Sequence, residues 1–536
     1  MVALALTKRK THSKCVLFAL VGTANFAAAG DVQFTSKIDT TIYVYDTERN
    51  NGESVSNEAI VVLPSILTSY SAKRATASFV VDHTKVEQNN DIDGANKNYT
   101  ELKYNSVFTL IESAMTLSFS GAQNYRVINS QQQFVGDKLL SPGDLTKYRN
   151  NSAGLNFSIP NPKYLGFTFQ SSFSETKTDE SLDDVSSGLD SDNLGVSARL
   201  YNGKYARNYN FNLSAQYNDS SRSNFGDFSS SNVSGRIGFV IANKLDWVIV
   251  GSSENYDVGE GTFSRRNNID TTSYGAGIEW KPRGAQAILL TYNQLEEGDI
   301  ETKFVGVNVN WAFSNRTALK FDYAKRFYGD AYNADFTYAL KSLRSSLSYS
   351  EQVTTFGQLA NSGNNFNGLF VCEFGSTDLV DCFQPDSLDY ELQAGEEFRA
   401  STDLDSDISE EVIFTKVGRF NIGYDKRKIK ASVNLSYSKT EYLESDRLQK
   451  TRSLGLNLSY ALGRKTNISL TSNLSKRQFD ELSDEDTNRT VSLDFKRDLS
   501  KKLQVNVGVR LLDRESDNAS RDLTDKRLTL GLNYTF

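Results

Sequence analysis

The 536-residue chain is poor in methionine (two), histidine (two), cysteine (three) and proline (six). With so few imidazoles, hydrolysis by a histidine general base has little to work with, and zinc sites of the His/Cys type are disfavoured. Three cysteines cannot make a disulfide-rich scaffold. After residue 30 no stretch approaches the roughly 18 uninterrupted apolar residues of a spanning helix, so any membrane crossing has to be made by strands. Closed barrels are then the only spanning architecture. What is abundant agrees: Gly, Ser, Thr, Asn, 26 Tyr and 32 Phe are strand and turn formers.

The start of the chain predicts export. Lys8, Arg9, Lys10 and Lys14 occur there without any acid, and a short apolar core from Cys15 to Phe26 runs into Ala27-Ala28-Ala29-Gly30. This is the layout of a secretory signal, residues 1–29, with cleavage expected after Ala29. The core is too short to be an anchor. Losing the signal takes four of the 59 Lys+Arg and none of the 66 Asp+Glu, leaving 55 against 66, a net of −11. That balance argues against nucleic acid as a partner.

Strict alternation carries the fold reading. Arg527 to Phe536 (RLTLGLNYTF) places Leu528, Leu530, Leu532, Tyr534 and Phe536 on one face, with Thr529, Gly531, Asn533 and Thr535 on the other. The pattern recurs at Leu454–Leu462, Leu503–Leu511 and Ile429–Tyr437. A soluble sandwich also alternates. The small or polar opposite face, the aromatic closing the apolar row and the spacing favour lipid.

Eleven short polar turns punctuate the chain, among them Ser71–Arg74, Asn161-Pro162-Lys163, Asn202-Gly203-Lys204, Asp425-Lys426-Arg427, Gly463-Arg464-Lys465 and Ser500-Lys501-Lys502. Longer acidic loops are expected between them, as at Asp179–Asp184, Leu295–Asp299 and Glu481–Asp486. Eleven turns separate twelve hairpins, which predicts an all-β, up-and-down antiparallel barrel of about 24 strands (22–26) spanning residues 30–536 in the bacterial outer membrane. Strand-like alternation is already present at Ile38–Tyr45, and this leaves no room for the plug of a TonB-dependent receptor. Nor does a passenger repeat of the autotransporter kind precede the strands.

The C-terminal row Leu532, Tyr534, Phe536 resembles the signal that delivers outer-membrane proteins to their assembly machinery, which that resemblance makes a partner, beside outer-membrane lipid and lipopolysaccharide. The whole mature chain also resembles the large barrels associated with exopolysaccharide and PEP-CTERM gene clusters. Tyr43-Val44-Tyr45-Asp46, Pro64-Ser65-Ile66, the Arg149–Ser158 segment and the plugless organisation carry that second likeness. It implies a role near polysaccharide export, with polysaccharide and its export machinery as partners.

No enzymatic residue set, cofactor site or metal site is expected. The single mature histidine, His83, follows Asp82 directly, so the two side chains point to opposite faces, and a structural or lumen-facing role is expected for it. Cys372 and Cys382 form the disulfide candidate, inside the longest connection, about 354–411. That connection is crowded with acids, and its part from about Phe356 to Phe383 is expected to cap or constrict the pore. Function then divides between a porin-like barrel associated with polysaccharide export, a general solute porin, and a non-conducting structural or adhesive barrel.

Overall fold

The alternating segments become antiparallel strands because a strand can turn one apolar row to lipid only if every backbone polar group is bonded to a neighbouring strand. The computed structural model describes residues 30–536 apart from 50–53, 90–96, 128–137, 140–144, 180–189, 207, 224–225, 259–267, 356–357, 359–368, 374–381, 384–395, 401–410, 446 and 480–483, with backbone alone for 126–127, 258, 268, 369–373, 382–383, 396–400, 484 and 520. The signal segment and Ala29 lie outside the described residues.

One sheet of 24 strands runs in chain order, and its first strand, Asp31–Arg49, closes on its last, Leu523–Thr535. The closing register pairs Ile38 with Tyr534 and Thr40 with Leu532. The Phe536 amide adds a bond to the Ser36 carbonyl at 2.9 Å. The ring therefore has no free edge. Seventeen strands, ending with Leu343–Thr355, precede the long connection, and Val412–Lys426 is the eighteenth. Within that connection Leu369–Glu373, Cys382–Phe383 and Glu396–Ala400 form a separate three-stranded sheet.

All eleven turns fall where the polar tripeptides predict them, all at one end of the barrel. Lys244 and Arg427 take positive φ in two of them (70° and 59°), and the register shifts beside the 242–245 turn, as tight hairpins with a bulge require. The opposite end carries the longer connections, with a correction: Leu295–Asp299 is not a long loop. It is a two-residue turn between Gln286–Glu297 and Ile300–Ser314, made possible by Gly298 at φ 57°. Glu296 and Glu297 sit on the strand end itself, and Asp299 in the turn. Asp484–Asp486, likewise expected in a loop, begins the Asp484–Asp498 strand.

The outer surface is the greasy one. Leu454, Leu456, Leu458, Leu528, Leu530 and Leu532 are all exposed, whereas the residues between them turn into the lumen. Trp247, Trp280, Phe313, Tyr460 and Tyr534 ring the turn end of this belt, and Tyr217, Tyr274, Tyr292 and Tyr332 ring the loop end. An apolar band between two aromatic girdles matches the hydrocarbon layer and its two interfaces.

Candidate functional site: the lumen and its closure

Facing inward at mid-height is a lining of hydroxyls and amides. Ser120 meets Ser152 and Ser214 meets Ser234, each at 2.6 Å, while Asn457 donates to Ser432 at 3.3 Å and Asn308 to Asp322 at 2.8 Å. Near the turn end the buried carboxylates of Asp246 and Glu279 share Lys281 at 2.6 and 2.7 Å, and Arg236 also pairs with Glu279. A ring of 24 strands, if circular, would be roughly 45–50 Å across. A lumen of that size with this lining holds water unless something fills it.

At the loop end it is partly filled. Arg222 ends the ninth strand, Tyr209–Arg222, and Glu444 follows the nineteenth, Ile429–Tyr442. They stand ten strand positions apart in the ring, yet the guanidinium and carboxylate meet in two bonds of 2.9 Å each, with side chains 1% and 9% exposed. Walls that a round barrel would hold far beyond the reach of two side chains must therefore lean together. Glu444 also accepts from the Val412 amide at 3.1 Å, and next to it Glu411 pairs with Arg447 at 3.0 Å.

The hairpin between these walls is low enough to be bridged. Strands Thr317–Arg326 and Gly329–Ala339 are joined by Phe327 and Tyr328 alone, with Gly329 at φ 106° completing the turn. Its tip lies under the closure: Tyr256 on the eleventh strand contacts Phe327 at 5.2 Å, and Tyr328 contacts Phe414 on the eighteenth at 4.3 Å. Phe228, Tyr256 and Val412 form a buried apolar cluster with Ile269, Phe327, Val353 and Leu443 packed against it. Burial pushes the Tyr328 hydroxyl up to about 12, so it stays neutral in this setting. Arg326 and Glu254 approach at 3.5 Å beside it.

Elsewhere around the rim the connection after the fifth strand also reaches inward. Lys138 pairs with Glu101 at 2.9 Å and donates to Thr84 at 3.1 Å, and Leu139 packs with Tyr45, Ala59, Val86 and Tyr99. On the closing strands Arg514 pairs with Asp486 at 2.8 Å, and Arg527 with Asp525 at 2.6 Å, all four nearly fully buried. Buried charges of both signs are thus held in pairs, as burial demands.

Of the residues singled out from sequence, Leu532, Tyr534 and Phe536 lie on the closing strand or at its end, facing outward. His83 is not lumen-facing: it points outward and its Nδ1 lies 2.9 Å from Thr100 Oγ1, while Asp82 turns inward to Ser65. Asp82 and His83 do take opposite faces, and the neighbours Thr84 and Val86, both buried, show which face is the lumen. The backbone register sets Cys372 directly opposite Cys382. Their side chains, and most of the expected 356–383 cap, lie outside the described residues. The Arg222–Glu444 closure was not anticipated; nothing in either local sequence marks it, because its partners are brought together only by the ring.

No protein-family model and no curated protein matches the chain. Solved structures similar to it include the FrpB iron transporter from Neisseria meningitidis (F5-1 variant), with TM-score 0.44 and 9% identity over 94% of this chain and 83% of that one. The siderophore receptor PirA from Pseudomonas aeruginosa gives 0.40 and 9% over 94% and 80%, and the copper transporter OprC 0.37 and 9% over 95% and 82%. Likeness at this level says nothing of cargo. The apolar belt, the two girdles and the closed register stand on their own, and they make this chain a 24-stranded β-barrel of the bacterial outer membrane.

Proposed function

We propose that the protein is a transport barrel whose polar lumen is closed at the loop end by the barrel's own connections, without a separate plug domain, and that it serves polysaccharide export or secretion. One observation carries the transport reading: a ring of 24 strands encloses a mid-height lining of Ser and Asn beneath a rim that is partly filled. A purely structural barrel has no use for a wide hydrated interior with a fastened cover. Hydroxyl and amide side chains exchange hydrogen bonds readily with sugar hydroxyls, which supports a polyhydroxylated cargo over a hydrophobic one. The reading is of a conduit and not of a catalyst. The resemblance to barrels of exopolysaccharide and PEP-CTERM clusters supports the same assignment, with polysaccharide and its export machinery as partners.

Liposome swelling with graded oligosaccharides tests it. Proteoliposomes should admit neutral oligosaccharides once the closure is released by Glu444→Ala, with a size limit above that of general porins. Equal exclusion of every sugar by wild type and variant would leave the structural or adhesive reading in place. Entry of small solutes alone would favour the general porin.

A further inference from the structure

Charge on the lipid-facing surface is segregated around the rim. Following each strand outward from the apolar belt toward the loop end, the first polar position on the same face can be read from the alternation. On the strands Val412–Lys426, Ile429–Tyr442, Leu448–Gly463, Thr466–Phe479 and Asp484–Asp498, that position is Lys416, Lys439, Arg452, Lys476 and Arg489. On the strand Leu503–Ser516 it is the acid Asp513, beyond the exposed Leu511, and on the closing strand it is Lys526, two residues beyond the exposed Leu528. Elsewhere the corresponding position is often acidic: Asp46 beyond Val44, Asp192 beyond Leu194, Asp219 beyond Tyr217.

Several of these cations oppose one another. Lys416 is registered on Lys439, Lys439 on Lys450, and Arg452 on Lys476. Like charges directly across an antiparallel pair destabilise a sheet, so such a row calls for anions. Acids of the chain supply part: Glu351 to Lys416 at 3.4 Å, Glu441 to Lys439 at 2.6 Å, Glu485 to Lys476, and Glu515 and Asp513 to Arg489 at 2.9 and 3.1 Å. Among the described residues no acid pairs with Arg452 or Lys526, and both are exposed.

We propose that this sector, from Lys416 round to Lys526, is a docking surface for the phosphates of an outer-leaflet glycolipid, the lipid A part of lipopolysaccharide. Arg452, Lys476, Arg489 and Lys526 are exposed on the face that carries the apolar belt, they stand at its edge where headgroup phosphates lie, and they are at the end with the long connections, which faces outward in such barrels. Acyl chains then run down the adjoining rows of Leu454–Leu462 and Leu528–Leu532, and Lys and Arg meet the phosphates by charge-assisted hydrogen bonds. The inference holds whatever the lumen carries.

Native mass spectrometry of the full detergent-folded barrel tests the site with bis-phosphorylated lipid A, its monophosphorylated form and a soluble acidic polysaccharide as probes. Wild type should retain the bis-phosphorylated lipid in preference to the other two. The variant Arg452→Gln/Lys476→Gln/Lys526→Gln should bind it about tenfold or more weakly. Asp192→Asn/Asp219→Asn in the acidic sector should bind as wild type does. Heat-modifiable mobility checks that each variant is folded, and the comparison of one phosphate with two needs no variant at all. Wild type indifferent to phosphate number, a folded triple variant that binds undiminished, or preference for the soluble polysaccharide would each overturn the proposal.

Discussion

Arg222 and Glu444, ten strands apart in a 24-strand ring, are joined by two 2.9 Å hydrogen bonds in a nearly water-free setting. The pair fastens two leaning walls over the low Phe327-Tyr328 hairpin. Removing one partner leaves the other charge buried and unpaired, which costs about 3–5 kcal/mol, whereas removing both costs much less. Arg222→Ala and Glu444→Ala should therefore each expose the loop end to proteolysis, and the double variant should be less affected than the sum of the singles. A double-mutant cycle on the cleavage rate measures the coupling; strict additivity would mean that the pair does not hold the walls.

The register that sets Cys372 opposite Cys382 bears on the disulfide. Directly opposed antiparallel residues have Cα atoms about 4.5–5.5 Å apart, inside the range a disulfide spans. We expect the two to be bonded in protein taken from the membrane. Alkylation before and after reduction, read by mass, should find both protected until reductant is added; labelling of either without reductant would show free thiols.

The Phe536 amide bonds to Ser36 and its exposed ring contacts Tyr534 at 5.0 Å, at the seam where the barrel closes. Deleting Phe536 should spare export and lower the yield of folded barrel in the outer membrane. Pulse-labelled cells fractionated for heat-modifiable protein would read this directly, and an undiminished folded fraction would remove the seam and its signal from assembly.

Sidedness follows from the eleven short turns at one end. Ser445, exposed in the connection beside Glu444, should be labelled as Ser445→Cys by an impermeant maleimide on intact cells, and Arg464→Cys in the 463–466 turn should not. Labelling confined to Arg464→Cys would invert the barrel.

Much of this fold can be read in sequence because two-residue periodicity and polar interruptions are local. Gly463-Arg464-Lys465 breaks the row of Leu454–Leu462 and could be nothing but a turn. The same rule misread Leu295–Asp299, since acids crowd strand ends as readily as loops and only Gly298 reveals the tight reversal. Alternation alone allows His83 a lumen-facing place, whereas its buried neighbours Thr84 and Val86 occupy that face and His83 the other. The closure was beyond reach for a different reason. Arg222 and Glu444 lie 222 residues apart, and their meeting depends on ring closure and on the heights of the intervening hairpins.

The account's central claim is a wide polar lumen shut at its loop end by the chain itself. Single-channel conductance in planar bilayers, wild type against Glu444→Ala, tests it most directly. Wild type should be silent or show small, rare openings, and the variant, with Arg222 left buried and unpaired, should show conductance several-fold larger with frequent opening. If the two give the same conductance and open fraction, the Arg222–Glu444 fastening does not govern the lumen and the account fails.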